Sequence, residues 1–121
     1  MSPYVMDSDK EEICCEAIKV LANLTRHKDI IPALITYKIA DALVLYLAIN
    51  SKEVIFYVLG VLINIVCNNE IRIQFSNDIF SGVNQIINDC SQNESDLINL
   101  SMKVLANLIE DNKIIDPKII N

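Results

Sequence analysis

One helical segment is written three times in this chain, as Ala17–Leu24 (AIKVLANL), Val58–Ile65 (VLGVLINI) and Ser101–Leu108 (SMKVLANL). In each copy Val-Leu stands three and two residues before an Asn, and an aliphatic residue follows it directly. The three asparagines, Asn23, Asn64 and Asn107, are 41 and 43 residues apart. Self-similarity at that period, with one signature helix per unit, predicts helical units stacked into a solenoid rather than a closed globule. A single unit cannot bury its apolar face alone, so the Val, the Leu and the aliphatic residue after each Asn are expected in the core. Stacks of this kind present long surfaces suited to binding other chains.

The remaining composition narrows the alternatives. A chain of 121 residues holds about three such units, and its 52% hydrophobic share can bury a core. Two Gly and three Pro leave few tight turns, which argues against an all-β fold. The net charge of −6, with ten basic residues under sixteen acidic ones, does not supply the Lys/Arg cluster that nucleic-acid phosphates require. No nucleic-acid partner is expected. Cys14, Cys15, Cys67 and Cys90 form no CxxC pair, and the lone His27 has no metal-ligand spacing. The cysteines read as small apolar thiols of a reducing compartment. Phosphate loops and nucleophile elbows are absent, and Glu12 and Glu16 read as a solvated helix start. No catalytic residue, metal or cofactor is therefore expected, and the chain reads as a non-enzyme. Its longest apolar run, Val54–Cys67, is fourteen residues, short of the roughly 20 that span a bilayer. With no basic-then-apolar leader at Met1–Asp9, a cytoplasmic protein without a membrane segment is expected.

Along the chain, residues 1–8 are expected to be frayed, residues 9–116 to form the repeat domain, and residues 117–121 to be a C-terminal end. A first long helix runs to about Arg26 from a cap among Asp7, Ser8 and Asp9, with a buried stripe of Ile13, Ala17, Val20, Leu21 and Leu24. Glu11 and Glu12 in its first turn suit the helix dipole. A short helix follows over Asp29–Tyr37, with Pro32 in its first turn, then a medium one over Ile39–Ile49. Ser51 caps a second long helix ending near Cys67. The order repeats with a short helix at Glu70–Phe75, a medium one at Ile79–Cys90 and a third long one from about Glu94 to Ile109. A further unit opens at Lys113. The first unit thus lacks its early helices and the last is truncated. Ile13, Ile18, Ile114, Ile115, Ile119 and Ile120 are left to be covered, so self-association through uncapped repeat ends is expected.

Three helices per unit, a period just above 40, and a last helix of the form x-x-V-L-x-N-L resemble the armadillo repeat over residues 11–116. HEAT repeats have two helices per unit and lack the recurring Asn. The resemblance implies an all-α fold, a right-handed α-solenoid of armadillo-type three-helix repeats, and a protein–protein interaction scaffold or adaptor working through its concave surface. Armadillo units usually carry Gly between their first and second helices. Here those places hold Lys38-Ile39-Ala40 and Asn77-Asp78, of which Asn77 tolerates the left-handed conformation. Importin-α-like members place a Trp four residues before the Asn. Here Lys19, Gly60 and Lys103 stand there, so their basic-peptide groove is not implied. A closer likeness, to armadillo repeats linked to axoneme assembly, rests on three stretches. They are Ala17-Ile18-Lys19-Val20…Asn23-Leu24, Gly60–Ile65, and Asp96-Leu97…Lys103…Leu105…Asn107. It implies a cytoplasmic, ciliary or flagellar adaptor for axonemal components.

The repeated Asn supports two roles from the sequence. Signature helices about 8–10 Å apart would meet an extended peptide, which advances about 3.3 Å per residue, at every third residue. An amide can pair with both N–H and C=O of such a backbone. It can equally bond a neighbouring helix and tie units together. Residues four apart share a helix face, so the candidate partner-binding groove comprises Asn23, Asn64, Asn107, Lys19, Gly60 and Lys103, with Tyr57 as an aromatic contact. Lys19 and Lys103 favour a neutral or mildly acidic segment over a basic one. The contrasting reading is a purely structural interior segment of a larger solenoid or assembly, and a third is the regulatory subunit of an enzyme.

Overall fold

The computed structural model describes residues 8–90 and 93–110, and the expectations placed on 1–7, on Ser91-Gln92 and on the unit opening at Lys113 lie outside these. The described residues are all-helical. They form α1 (Ser8–Leu24), a 3-10 turn (Lys28–Ile30), α2 (Ile31–Thr36), α3 (Ile39–Tyr46), α4 (Lys52–Ile65), α5 (Asn69–Asp89) and α6 (Ser95–Glu110). No helix among them is long and apolar enough to cross a membrane.

The three signature segments fall in α1, α4 and α6, and α4 packs against both of the others. α5 packs on α6 and α3, and α3 also meets α2 and α4. The core is built chiefly on α4, where Val54, Val58, Leu59, Val61, Leu62 and Ile65 are all buried. Every third or fourth residue of α4 is aliphatic on more than one side, so the helix can be covered by two neighbours at once.

Polar residues start these helices where their chemistry suits it. Ser51 Oγ accepts from the Val54 backbone N–H at 3.2 Å and also donates to the Glu11 carboxylate, tying the start of α4 to α1. Glu11 was expected only to complement a helix dipole; its bond to Ser51 is a tertiary link. Asn68 caps α5 by accepting from Glu70 N at 2.9 Å and Ile71 N at 3.1 Å. The Arg72 guanidinium, buried beneath the α4–α5 corner, donates to the Val66 carbonyl at 2.9 Å and to the Asn69 side chain. It thereby takes up a carbonyl that the end of α4 would otherwise leave open.

Two expectations about this region need correction. The short and medium helices expected at Glu70–Phe75 and Ile79–Cys90 are one continuous helix, α5, and Asn77 is helical within it. Ile71, Phe75, Ile79, Val83 and Ile86 recur at steps of four, four, four and three, so one uninterrupted apolar stripe crosses the supposed junction. In the preceding unit the buried positions step from Leu34 to Ala40, a gap of six that breaks the helical period. There the chain turns, and Lys38 takes the left-handed conformation at φ 58°.

α1 also buries a different face from the one expected. Cys15, Ile18 and Thr25 are buried, whereas Ile13, Ala17, Val20 and Leu24 are exposed and Leu21 is half-buried. Ile18, expected to lie uncovered, is in the core. The physical reason is that α1 packs chiefly against α4, and the face it turns there carries Cys and Thr among its apolar residues. On its other side Ile13, Ala17 and Leu21 line an open apolar cavity shared with Ile39, Ala42 and Tyr46 of α3, while Val20 and Leu24 stay exposed.

Candidate interaction surface

The recurring asparagines make recurring bonds. Asn64 Nδ2, on α4, donates to the Ala22 carbonyl of α1 at 3.1 Å and to Thr25 Oγ1 at 3.1 Å. Thr25 Oγ1 donates onward to the Leu21 carbonyl at 2.7 Å, so the hydroxyl serves as acceptor and donor in one chain of bonds. Asn107 Nδ2, on α6, donates to the Ile63 carbonyl of α4 at 3.4 Å. Ala22 immediately precedes Asn23, and Ile63 immediately precedes Asn64. Each amide therefore reaches the carbonyl one residue before the asparagine of the preceding signature helix. Asn23 is exposed, and its side chain has no partner among the described residues.

Of the two roles left open by the sequence, the linking one is present at Asn64 and Asn107. Both amide protons of Asn64 are engaged inside the protein, which leaves its oxygen alone to meet a ligand N–H. Asn23 keeps both its donor and its acceptor.

Of the other candidate residues, Lys19 and Tyr57 are in contact. Lys19 on α1 places its Nζ 4.9 Å from the centroid of the Tyr57 ring and 3.3 Å from Glu16 Oε1. Bonds to Glu16 first and Tyr57 second hold the Lys19 ammonium above its usual pKa. Tyr57 is half-buried and meets Phe56 edge-on at 5.3 Å. One turn further along α4, a Cβ placed on Gly60 would have no neighbour within 4 Å, so the backbone there faces open space. Lys103 on α6 is exposed. The structure brings Lys19 and Tyr57 together, and it adds Glu16, which sequence reasoning missed and which shares the Lys19 charge. The i,i+3 spacing of Glu16 and Lys19 was the signal that could have found it.

Three of the four thiols are held towards their protonated form. Burial first, and then Glu53, Cys14 and Glu11, push the Cys15 thiol up to about 11. Burial also raises Cys14, and Cys90 is raised by burial and then by its bond to Glu94. No member of the four is in a disulfide.

Compared with models of known families, with curated proteins and with solved structures, the chain matches none.

Proposed function

We propose that this chain is a non-enzymatic protein–protein interaction scaffold, a stretch of armadillo-type α-solenoid that receives an extended peptide segment across α1, α4 and α6. The observation that carries this reading is the open floor at Gly60, flanked by the Lys19–Tyr57 pair. The unspent amide of Asn23 stands one turn beyond Lys19. An extended segment lying over Gly60 can approach the α4 backbone closely, because no Cβ stands in its way. Asn23 offers a donor and an acceptor to its main chain, and Lys19 and Lys103 favour acidic side chains beside it. Exposed ion pairs contribute only about 0–1 kcal/mol each, so the contact selects rather than grips.

The test is a titration of acidic and lysine-rich peptides of equal length against the protein. The acidic peptide should bind better, and Gly60→Arg and Asn23→Ala should weaken it while leaving helicity intact. Preferential binding of the lysine-rich peptide, or indifference to Gly60→Arg, overturns the reading. The bonds of Asn64 and Asn107 favour a second reading, a purely structural segment, under which neither peptide binds. For the cellular setting we propose axoneme assembly, on the sequence likeness alone; a tagged chain that stays away from assembling cilia would reject it.

A further inference from the structure

Equivalent positions in the three signature helices differ in cover according to where the helix stands. Three residues before the Asn, Val20 is 57% exposed while Val61 and Val104 are buried. Directly after it, Leu24 is 42% exposed while Ile65 and Leu108 are buried. Five residues before and two after, the pattern reverses. Ile18, Leu59, Thr25 and Val66 are buried, whereas Met102 is 53% and Ile109 67% exposed. Each signature helix thus has a leading face (positions −3 and +1) turned to the previous one and a trailing face (−5 and +2) turned to the next. The trailing face of α1 meets the leading face of α4, and the trailing face of α4 meets the leading face of α6. Two faces remain unmatched among the described residues: the leading face of α1 and the trailing face of α6.

We infer that the chain associates with itself head to tail, the trailing face of α6 in one copy seating on the leading face of α1 in the next. The occupant follows from the repeat itself, because this contact has the same chemistry as two that the chain already makes internally. It also accounts for the amide of Asn23. Asn64 donates to the carbonyl before Asn23, and Asn107 to the carbonyl before Asn64. By the same register Asn23 donates to the Ala106 carbonyl of the second copy. The contact is heterologous and leaves both outer ends available, so it propagates instead of closing on a dimer. A net charge of −6 per chain opposes it, so association strengthens with salt. The inference stands on the internal contacts and does not depend on the peptide reading.

Sedimentation velocity of the full 121-residue chain tests it, starting from a monomer of 13.6 kDa. Unmodified protein should form a series of oligomers that lengthens with concentration and with salt. Val20→Glu blocks the α1 end and Ile109→Glu the α6 end; both sites are exposed, and circular dichroism verifies that helicity is kept. Each variant alone should be monomeric, and an equimolar mixture should stop at a dimer. Asn23→Ala should raise the dissociation constant about two- to tenfold, as loss of one hydrogen bond does. A monodisperse monomer at high concentration overturns the inference, as does a mixture that fails to pair. Dimerisation of Ile109→Glu alone would replace it with a symmetric α1–α1 contact. Monomeric Val20→Glu, titrated with acidic peptide, reads the proposed peptide surface separately from self-association.

Discussion

Three asparagines at equivalent places in three sequence-similar helices should differ widely in what they contribute to stability. Asn64 makes two inter-helix bonds at 3.1 Å, Asn107 makes one at 3.4 Å, and Asn23 makes none among the described residues. A net contribution of about 0.5–1.5 kcal/mol per bond puts Asn64→Ala at about 1–3 kcal/mol. Asn107→Ala, losing one long bond, should cost no more than about 1 kcal/mol, and Asn23→Ala should fall within about 0.5 kcal/mol of the unmodified protein. Asn64→Asp sharpens the argument. It keeps the shape of the side chain but replaces the donor with a carboxylate oxygen facing the Ala22 carbonyl and Thr25. Two acceptors then oppose one another, so Asp should be worse than Ala at neutral pH and should recover part of the difference when the carboxylate is protonated. Urea unfolding followed by far-ultraviolet circular dichroism measures this, as a lower midpoint at constant slope. All four variants should be compared at the same low protein concentration, so that self-association does not enter. Equal losses for Asn23→Ala and Asn64→Ala, or an Asn64→Asp variant as stable as the unmodified protein, would refute the linking role.

Other expected outcomes follow from single residues. Cys15 is raised to about 11 from 9.0, so the folded state holds its proton where the unfolded state has lost it. Stability should therefore fall as pH rises from about 9 to about 11, by up to about 3 kcal/mol, and Cys15→Ala should flatten that part of the pH–stability curve. A curve of the same slope in Cys15→Ala would reject this. Ser101 is fully buried and its hydroxyl has no hydrogen-bond partner among the described residues, so Ser101→Ala should stabilise by about 0.5–1.5 kcal/mol, read as a higher urea midpoint. A lower midpoint would mean that the hydroxyl is satisfied. Lys38 holds φ 58°, which costs an L-residue about 1–2 kcal/mol, so Lys38→Gly should stabilise by about 0.5–1 kcal/mol after the added freedom of the unfolded chain is counted. Destabilisation would show that the Lys38 side chain contributes more than its strained backbone takes away.

The helices that carry the repeated signature were legible because their local signals agree with one another. Ser51 is a cap, the Val-Leu-x-Asn pattern fixes the phase, and α4 begins and ends within two residues of where the sequence puts it. What was not legible depended on neighbours. In α1, a stripe through Ile13, Val20 and Leu24 and another through Cys15, Ile18 and Thr25 both have helical spacing, and hydropathy favours the first. Only the position of α4 selects the second. In α5, Asn77-Asp78 looks like a junction on residue type, yet helical geometry costs Asn and Asp less than 1 kcal/mol each, and the stripe from Ile71 to Ile86 outweighs that. Residue type misled where periodicity would have decided.

The site divides along the same line. That the Asn recurs is a property of sequence, but the atom it bonds lies some forty residues away, and only the register between two helices assigns it. Once that register is known, the amide of Asn64 cannot both tie α4 to α1 and clamp a peptide carbonyl, because its two protons are already committed. A ligand that reads this surface must therefore depend on the residues the stacking leaves over: the open backbone at Gly60, the Lys19–Tyr57 pair and the amide of Asn23. Of these, Asn23 is also the group that a second copy would use. The peptide contact and the head-to-tail contact thus compete for one side chain. If both occur, saturating acidic peptide should shorten the oligomers, and dilution of the oligomers should raise apparent peptide affinity. Sedimentation with and without peptide reads the coupling directly, and oligomers whose length is unchanged by saturating peptide would show that Asn23 serves only one of the two.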